Sequence, residues 1–269
     1  MDILTKLYLL NLIKKDILKS ETAIIDALKK DLGKSQFESV IAEIQITLNE
    51  ISHTLKNIKK WTRPKKVSTP LLFWPAKSSI VYEPYGHVLI IAPWNYPFQL
   101  LLSPMIGAIA AGNKVTLKPS ELSSHTEVLL KKIFGHKKYS RYIEVVTGGV
   151  EETTELLKRR FDYIFYTGNT HVGKIIMKAA SEHLTPLTLE LGGKSPVLIT
   201  KNANCEVAAR RIVWGKFMNV GQTCIAPDYI LVDKSIKDPF VKALKQEILN
   251  FYGATPQESP DYGRIINHS

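Results

Sequence analysis

Cysteine is scarce in this chain of 269 residues, with two in all, and one of them, Cys224, sits in the run NVGQTCIAPD between a Gly-Gln-Thr and an Ile-Ala-Pro. A thiol in such a loop is a candidate nucleophile, because its thiolate attacks electrophilic carbon. Glu190 closes the apolar run LTLE just before two glycines. From a half-buried position there, with its pKa raised by burial, a carboxylate serves as a general base; the same glycines also fit a chain reversal that leaves Glu190 at the surface. Asn95, in APWNYP, lies between Trp94 and Tyr96 on backbone stiffened by prolines. Its amide is a candidate oxyanion donor, and an Asn satisfying a tight turn is the alternative.

Two further loops carry charge or glycine. Lys118 and Glu121, in KPSE, pair a cation with a carboxylate that together suit the hydroxyls of an adenosine ribose, or else form an ordinary surface pair near a helix start. In TGNTHVGK, Gly168 and Gly173 bracket a helix start with Asn169 as its N-cap, which suits a pyrophosphate; a plain strand-to-helix turn explains the same residues. The cysteines and seven histidines show no metal-site spacing, so no metal is expected, and two cysteines are too few for a disulfide scaffold. A reducing compartment is the expectation.

These loops need strand ends to position them, and the sequence supplies six. The short runs HVLIIAP, KVTLKP, IEVVTG, DYIFYTG, LTLELGG and SPVLIT alternate with helical stretches after Pro97, Ser123, Val150 and Thr170. The pattern is that of a mostly parallel α/β sheet, in which ligands bind at the carboxyl ends of strands. Two helices precede it, and in the second Ile41, Ile44, Leu48, Ile51, Leu55 and Ile58 form one apolar face.

The formal charge of +11 concentrates in Lys56–Lys66 and Lys131–Lys138, where no nucleic-acid-binding signature accompanies it, so these read as solvated helix ends and loops and no nucleic-acid partner is expected. The N-terminal stretch carries lysines throughout and no cleavage site, which makes it an amphipathic helix and the expected location cytoplasmic. The longest apolar run, Leu100–Gly112, is interrupted by Pro104 and falls short of the roughly 20 residues that span a bilayer. No membrane span is expected.

The runs PWNYP, KPSE, TGNTHVGK, ELGGKSP and GQTCIAPD, in this order, resemble the aldehyde dehydrogenase superfamily. WGKFMNVGQTCIAPDYILV and SPDYGRIIN are most similar to its class 3 branch, which acts on fatty or aromatic aldehydes. The resemblance runs from about Leu4 to Asn267, and the 34 positions separating Glu190 from Cys224 agree with the family pattern. It implies an α/β fold: N-terminal helices and a Rossmann-like NAD(P)-binding domain over residues 1–191, then the first part of an α/β catalytic domain over 192–269.

The resemblance also implies roles. Cys224 matches the nucleophile, Glu190 the general base, and Asn95 with the Cys224 backbone N–H the oxyanion hole. Lys118 and Glu121 match the ribose contacts, Gly168, Asn169 and Gly173 the pyrophosphate turn, and Trp94 is grouped with the cofactor contacts. The implied cofactor is NAD or NADP: Glu121 favours a free ribose hydroxyl, whereas class 3 relatives often accept NADP. The implied substrate is a small-molecule aldehyde, and a homodimer is expected of a full-length form. Cys205 has no matching role and is expected buried in a helix.

Two departures stand out. Asn169 replaces the usual serine, with helix capping expected to survive. The sequence also stops at GRIINHS, whereas the family pattern continues through a Glu-x-Phe-Gly-Pro segment and a dimerisation strand. The chain is therefore expected to be a fragment of low activity, with SPVLIT and DYILV leaving part of an apolar face open. The alternative is a catalytically inactive nucleotide-binding or interaction module derived from such an enzyme.

Overall fold

Residues 1–267 are described by the structure, a computed structural model. The chain opens with α1 (Ile3–Lys19), α2 (Glu21–Leu32) and α3 (Gln36–Ser39), the last continuing through a π-turn at Val40–Ile44 into α4 (Gln45–Trp61). The two helices expected from periodicity are thus three rods. Ser20 breaks the first, its N–H bonding back to the Asp16 and Ile17 carbonyls, so that Ile13 and Ile17 on one side and Ile24 and Leu28 on the other reach the same core. An antiparallel ribbon follows, β1 (Lys65–Val67) with β2 (Ser78–Ile80). The periodicity gave no sign of it, because its strands are three residues long and have no buried face.

The main sheet comprises β3 (His87–Ile91), β4 (Lys114–Lys118), β5 (Ile143–Val145), β6 (Tyr163–Thr167) and β7 (Leu187–Glu190), all parallel, in the order β5-β4-β3-β6-β7. Between them run α5 (Gln99–Ala111), α6 (Ser124–Phe134), α7 (Val150–Leu157) and α8 (Thr170–Ser181), as parallel strands require. Helices cover both faces, so β3 is buried at every position from Val88 to Ile91. Val88, Ile90, Val115 and Leu117 belong to the core that also takes in α1, α4, α5 and α6. Leu89, Ile91, Ile164 and Tyr166 pack on the opposite face with residues of α7 and α8. The apolar run through Pro104 is α5, buried in the first core. Among the described residues no helix is long and apolar enough to cross a membrane.

The strand order grows outward from β3 first on one side and then on the other, which leaves a crevice at the carboxyl ends of β3 and β6. Beyond it stands a smaller βαβ unit: β8 (Ser195–Ile199), α9 (Cys205–Phe217), the parallel partner β9 (Pro227–Val232), and α10 (Lys237–Tyr252). One face of this pair packs Val197, Ile199 and Ile230 on Ile212 and Phe240. The other presents Leu198, Tyr229 and Leu231 to solvent, as the sequence led us to expect. Cys205 corrects an expectation: it lies on the first turn of α9, beside the N-cap Asn204, and is only half-buried there.

Candidate active site

The loops after all five strands of the main sheet open into one cleft of about 780 Å³. Trp94 and Asn95 come from the end of β3, Lys118 and Glu121 from β4, Gly168 and Asn169 from β6, and Glu190 from β7; Cys224 joins them from the segment before β9. Eight of the nine residues singled out in the sequence therefore line a single cavity. Gly173 does not line it. It is buried one turn into α8, where a Cβ would come within 3.1 Å of Leu191, so it serves close packing of the helix on the sheet.

The Cys224 loop is held in an unusual conformation. Asn219, Val220 and Gly221 all have positive φ, at 51°, 56° and 77°. For a β-branched residue such as Val220 this conformation is strained by about 1–3 kcal/mol, and such strain persists only where surrounding contacts impose it. The contacts are visible: Asn219 N–H donates to the Glu38 carboxylate at 3.1 Å, and the Gln222 side chain donates to Arg264 O at 2.9 Å and accepts from Ile266 N at 3.1 Å. The Tyr96 hydroxyl is 2.7 Å from Thr223 Oγ1, and burial pushes that phenol up to about 12. Cys224 itself is exposed, and among the described residues its amide N–H has no hydrogen-bond partner.

Asn95 lies against the same loop. One N–H of its side-chain amide donates to Gln222 O at 2.8 Å, while its Oδ1 accepts from Tyr96 N at 3.1 Å. An amide nitrogen carries two donors, so one is left for a ligand oxygen. Gly193 brings the Glu190 turn up to the cysteine, since any Cβ there would come within 2.8 Å of Cys224 O. Of the two placements the sequence left open for Glu190, the structure shows the surface one: it is exposed, because β7 is the outermost strand of the sheet and no described element covers its end.

At the other end of the cleft, Lys118 corrects the reading of a surface charge pair. It is buried, 2% exposed, donates to Pro119 O at 2.6 Å, and stands 3.7 Å from the half-exposed Glu121 carboxylate. Burial pushes its ammonium below the usual lysine range, against the pull of Glu121. Three donors on that ammonium leave capacity for an incoming oxygen. Asn169 caps α8 by accepting from Val172 N at 2.9 Å, so the asparagine performs the capping expected of it. Gly168 is constrained as well: a Cβ would fall 2.2 Å from the Tyr166 hydroxyl, which holds Asn169 O at 3.1 Å. A buried cation with spare donors and a helix N-terminus on the same wall are the features a dinucleotide requires, and the residues present fit one.

Comparison with known proteins agrees with this geometry. The model for the aldehyde dehydrogenase family matches residues 1–269. The chain belongs to that family. It is 52% identical over 255 residues to the 4,4'-diaponeurosporen-aldehyde dehydrogenase of Staphylococcus aureus, covering 95% of this chain and 56% of that protein. Against aldehyde dehydrogenase family 3 member A2 of Macaca fascicularis the identity is 49% over 262 residues, 97% of this chain and 54% of the relative, which bears out the class 3 resemblance. The solved structure of the substrate-bound state of Staphylococcus aureus AldH matches with a TM-score of 0.96 at 51% identity, over 99% of this chain and 58% of that one. The chain spans about half the length of the curated relatives it matches.

Within this aldehyde dehydrogenase fold, sequence reasoning missed the groups beneath the loops. Lys34 and Glu43, both fully buried, form an ion pair under Asn95; the Lys34 ammonium also donates to Asn95 O at 2.9 Å and lies 4.1 Å from the Tyr96 ring centre. Burial drives Lys34 down from the usual lysine value, with Glu43 opposing, and drives Glu38 up. Helical spacing gave no signal for Glu43, because it falls off the stripe of Ile41, Ile44 and Leu48 and only the π-turn brings it inward.

Proposed function

We propose that this cleft oxidises an aldehyde to a carboxylic acid through a covalent adduct on Cys224, with NAD or NADP as cofactor. The observation carrying this reading is the convergence of a nucleophile, a carboxylate, an amide donor and a dinucleotide-type wall in one cavity at the strand ends. Residues 1–191 would hold the dinucleotide and 192–269 present the cysteine. Lys118 and Glu121 would take the ribose hydroxyls, the α8 N-terminus at Gly168 and Asn169 the pyrophosphate, and Trp94 would wall the cofactor side.

The Cys224 thiolate adds to the aldehyde carbon, forming a C–S bond and moving the carbonyl π pair onto oxygen. The free N–H of Asn95 and the Cys224 amide N–H stabilise that oxyanion, a contribution typically worth a factor of ~10²–10³ per donor. A bound nicotinamide dinucleotide supplies the acceptor for the aldehyde hydrogen and its electron pair. Glu190 then takes a proton from water, whose oxygen attacks the thioester carbonyl; the C–S bond breaks, Cys224 leaves as thiolate and the acid is released. The exposed, solvent-facing carboxylate supports this role, because the deacylating water must reach it.

Glu190→Gln separates the two halves. The variant is expected to form the thioester and to release about one equivalent of NADH per chain without further turnover. Continued turnover by Glu190→Gln at the parent rate would remove Glu190 from the base role.

A further inference from the structure

Asn95 is fixed from below by groups that touch neither cleft nor solvent. Its backbone carbonyl accepts from two side chains at once, the Lys34 ammonium at 2.9 Å and Asn219 Nδ2 at 2.8 Å. Both lone pairs are thereby engaged, which fixes the peptide plane and with it the direction in which the Asn95 side chain leaves the backbone. Lys34 is tied in turn to Glu43, whose second oxygen accepts from Phe98 N at 2.9 Å and Gln99 N at 3.0 Å at the start of α5. A carboxylate there also meets the positive end of the helix dipole. The π-turn at Val40–Ile44 turns Ala42, Glu43 and Ile44 inward together, which lets a charged side chain share a buried face with apolar neighbours.

A fully buried ion pair is a poor device for stability alone, since desolvation offsets most of its attraction and apolar replacements of equal volume often do as well. What distinguishes this pair is its direction. The pair grips the chain at the Asn95 carbonyl and three to four residues on, at the Phe98 and Gln99 amides, while Asn219 links that carbonyl to the strained turn preceding Cys224.

We infer that Lys34, braced by Glu43 and joined by Asn219, is a positioning residue that presets Asn95 for the oxyanion, so that the donor is already aimed when negative charge develops. The inference rests on the roles given to Cys224 and Asn95 above. Preorganisation of this kind accelerates only steps that develop an oxyanion.

That selectivity provides the test, on the whole chain and without cofactor. With p-nitrophenyl acetate, the Cys224 thiolate attacks the ester carbonyl, the C–O bond breaks, p-nitrophenolate leaves in a burst and an acetyl thioester remains; an oxyanion forms on the way. Iodoacetamide alkylates the same thiolate by displacing iodide from a saturated carbon, with no oxyanion. Lys34→Met is expected to slow the burst by ~10-fold or more, a fraction of the ~10²–10³ expected for losing a donor outright in Asn95→Ala, and to leave the alkylation rate within about twofold. Equal slowing of both reactions, or of neither, overturns the inference. Should Lys34→Met fail to fold, Asn219→Gly removes the second donor to the same carbonyl while keeping a backbone that tolerates positive φ. It is expected to give the same split at about 3–10-fold, and its absence overturns the inference equally. A burst that survives Cys224→Ala would instead overturn the underlying assignment of the nucleophile.

Discussion

The two parallel units of this chain differ in how their strands are used. In the five-stranded sheet β3 and β4 are buried on both faces between helices. The β8–β9 pair is buried on one face only, and its other face leaves Leu198 71% and Leu231 54% exposed. Yet it is this more open unit that leads into the cysteine, and the denser one that carries the wall fitted to a dinucleotide. Binding a large ligand asks for a rigid frame with several strand ends held in register. Presenting a nucleophile, the role proposed for Cys224, asks for one loop in one conformation, and the conformation of this loop is imposed less by its own unit than by contacts reaching back to Glu38 and Asn95.

Core truncation is the most severe way to probe that contrast. Ile90→Ala, in the centre of the main sheet, is expected to cost about 2–5 kcal/mol, because it removes a buried side chain that its neighbours cannot collapse to replace. Leu198→Ala, on the exposed face of β8, is expected to stay within ~0.5 kcal/mol. Denaturant unfolding followed by circular dichroism measures both, and equal costs would erase the distinction between the units.

Limited proteolysis sharpens it without mutation. Local opening is easiest where few apolar contacts hold a segment, so early cleavage is expected after Gly192, within or near β8 and β9, while residues 87–190 persist as a resistant band. Mass spectrometry of the first fragments decides, and first cuts inside β3–β7 would contradict the comparison.

The smallest expected effect is on pH. Burial depresses the Lys118 ammonium, so it loses its proton at a pH below the ~10.4 of an exposed lysine. In the window between the two values the unfolded chain holds the proton and the folded chain does not, so stability rises with pH there. Dinucleotide affinity should move the other way, falling as the cation is lost. Fluorescence titration with NADH across that window is expected to show the decline, and Lys118→Met to abolish it along with most of the affinity.

Much of this was legible in the sequence. The strands of the main sheet announced themselves as apolar β-branched runs closed by glycine or proline, and their ends and following loops held seven residues that do share one cleft with Cys224. The rest was hidden for physical reasons. The β1–β2 ribbon has no buried face and so no periodicity. The exposure of Glu190 follows from its strand being the sheet's edge, which a parallel strand order fixes and a local run does not. Lys34, Glu38 and Glu43 looked like ordinary surface charges, because only the folded chain, bringing α3 and its π-turn under the Asn95 loop, shows that they are spent on backbone amides and carbonyls.

The central claim is that the exposed thiol of Cys224 is the nucleophile served by this cleft. It is tested most directly by incubating Glu190→Gln chain with NAD and a medium-chain aldehyde and weighing the intact protein and its tryptic peptides. The account predicts one acyl group added per chain, located on the peptide containing Cys224, with a matching amount of NADH and no adduct in a Cys224→Ala, Glu190→Gln double variant. An unmodified Cys224 peptide, or an acyl group found on Cys205 or a lysine instead, would contradict it.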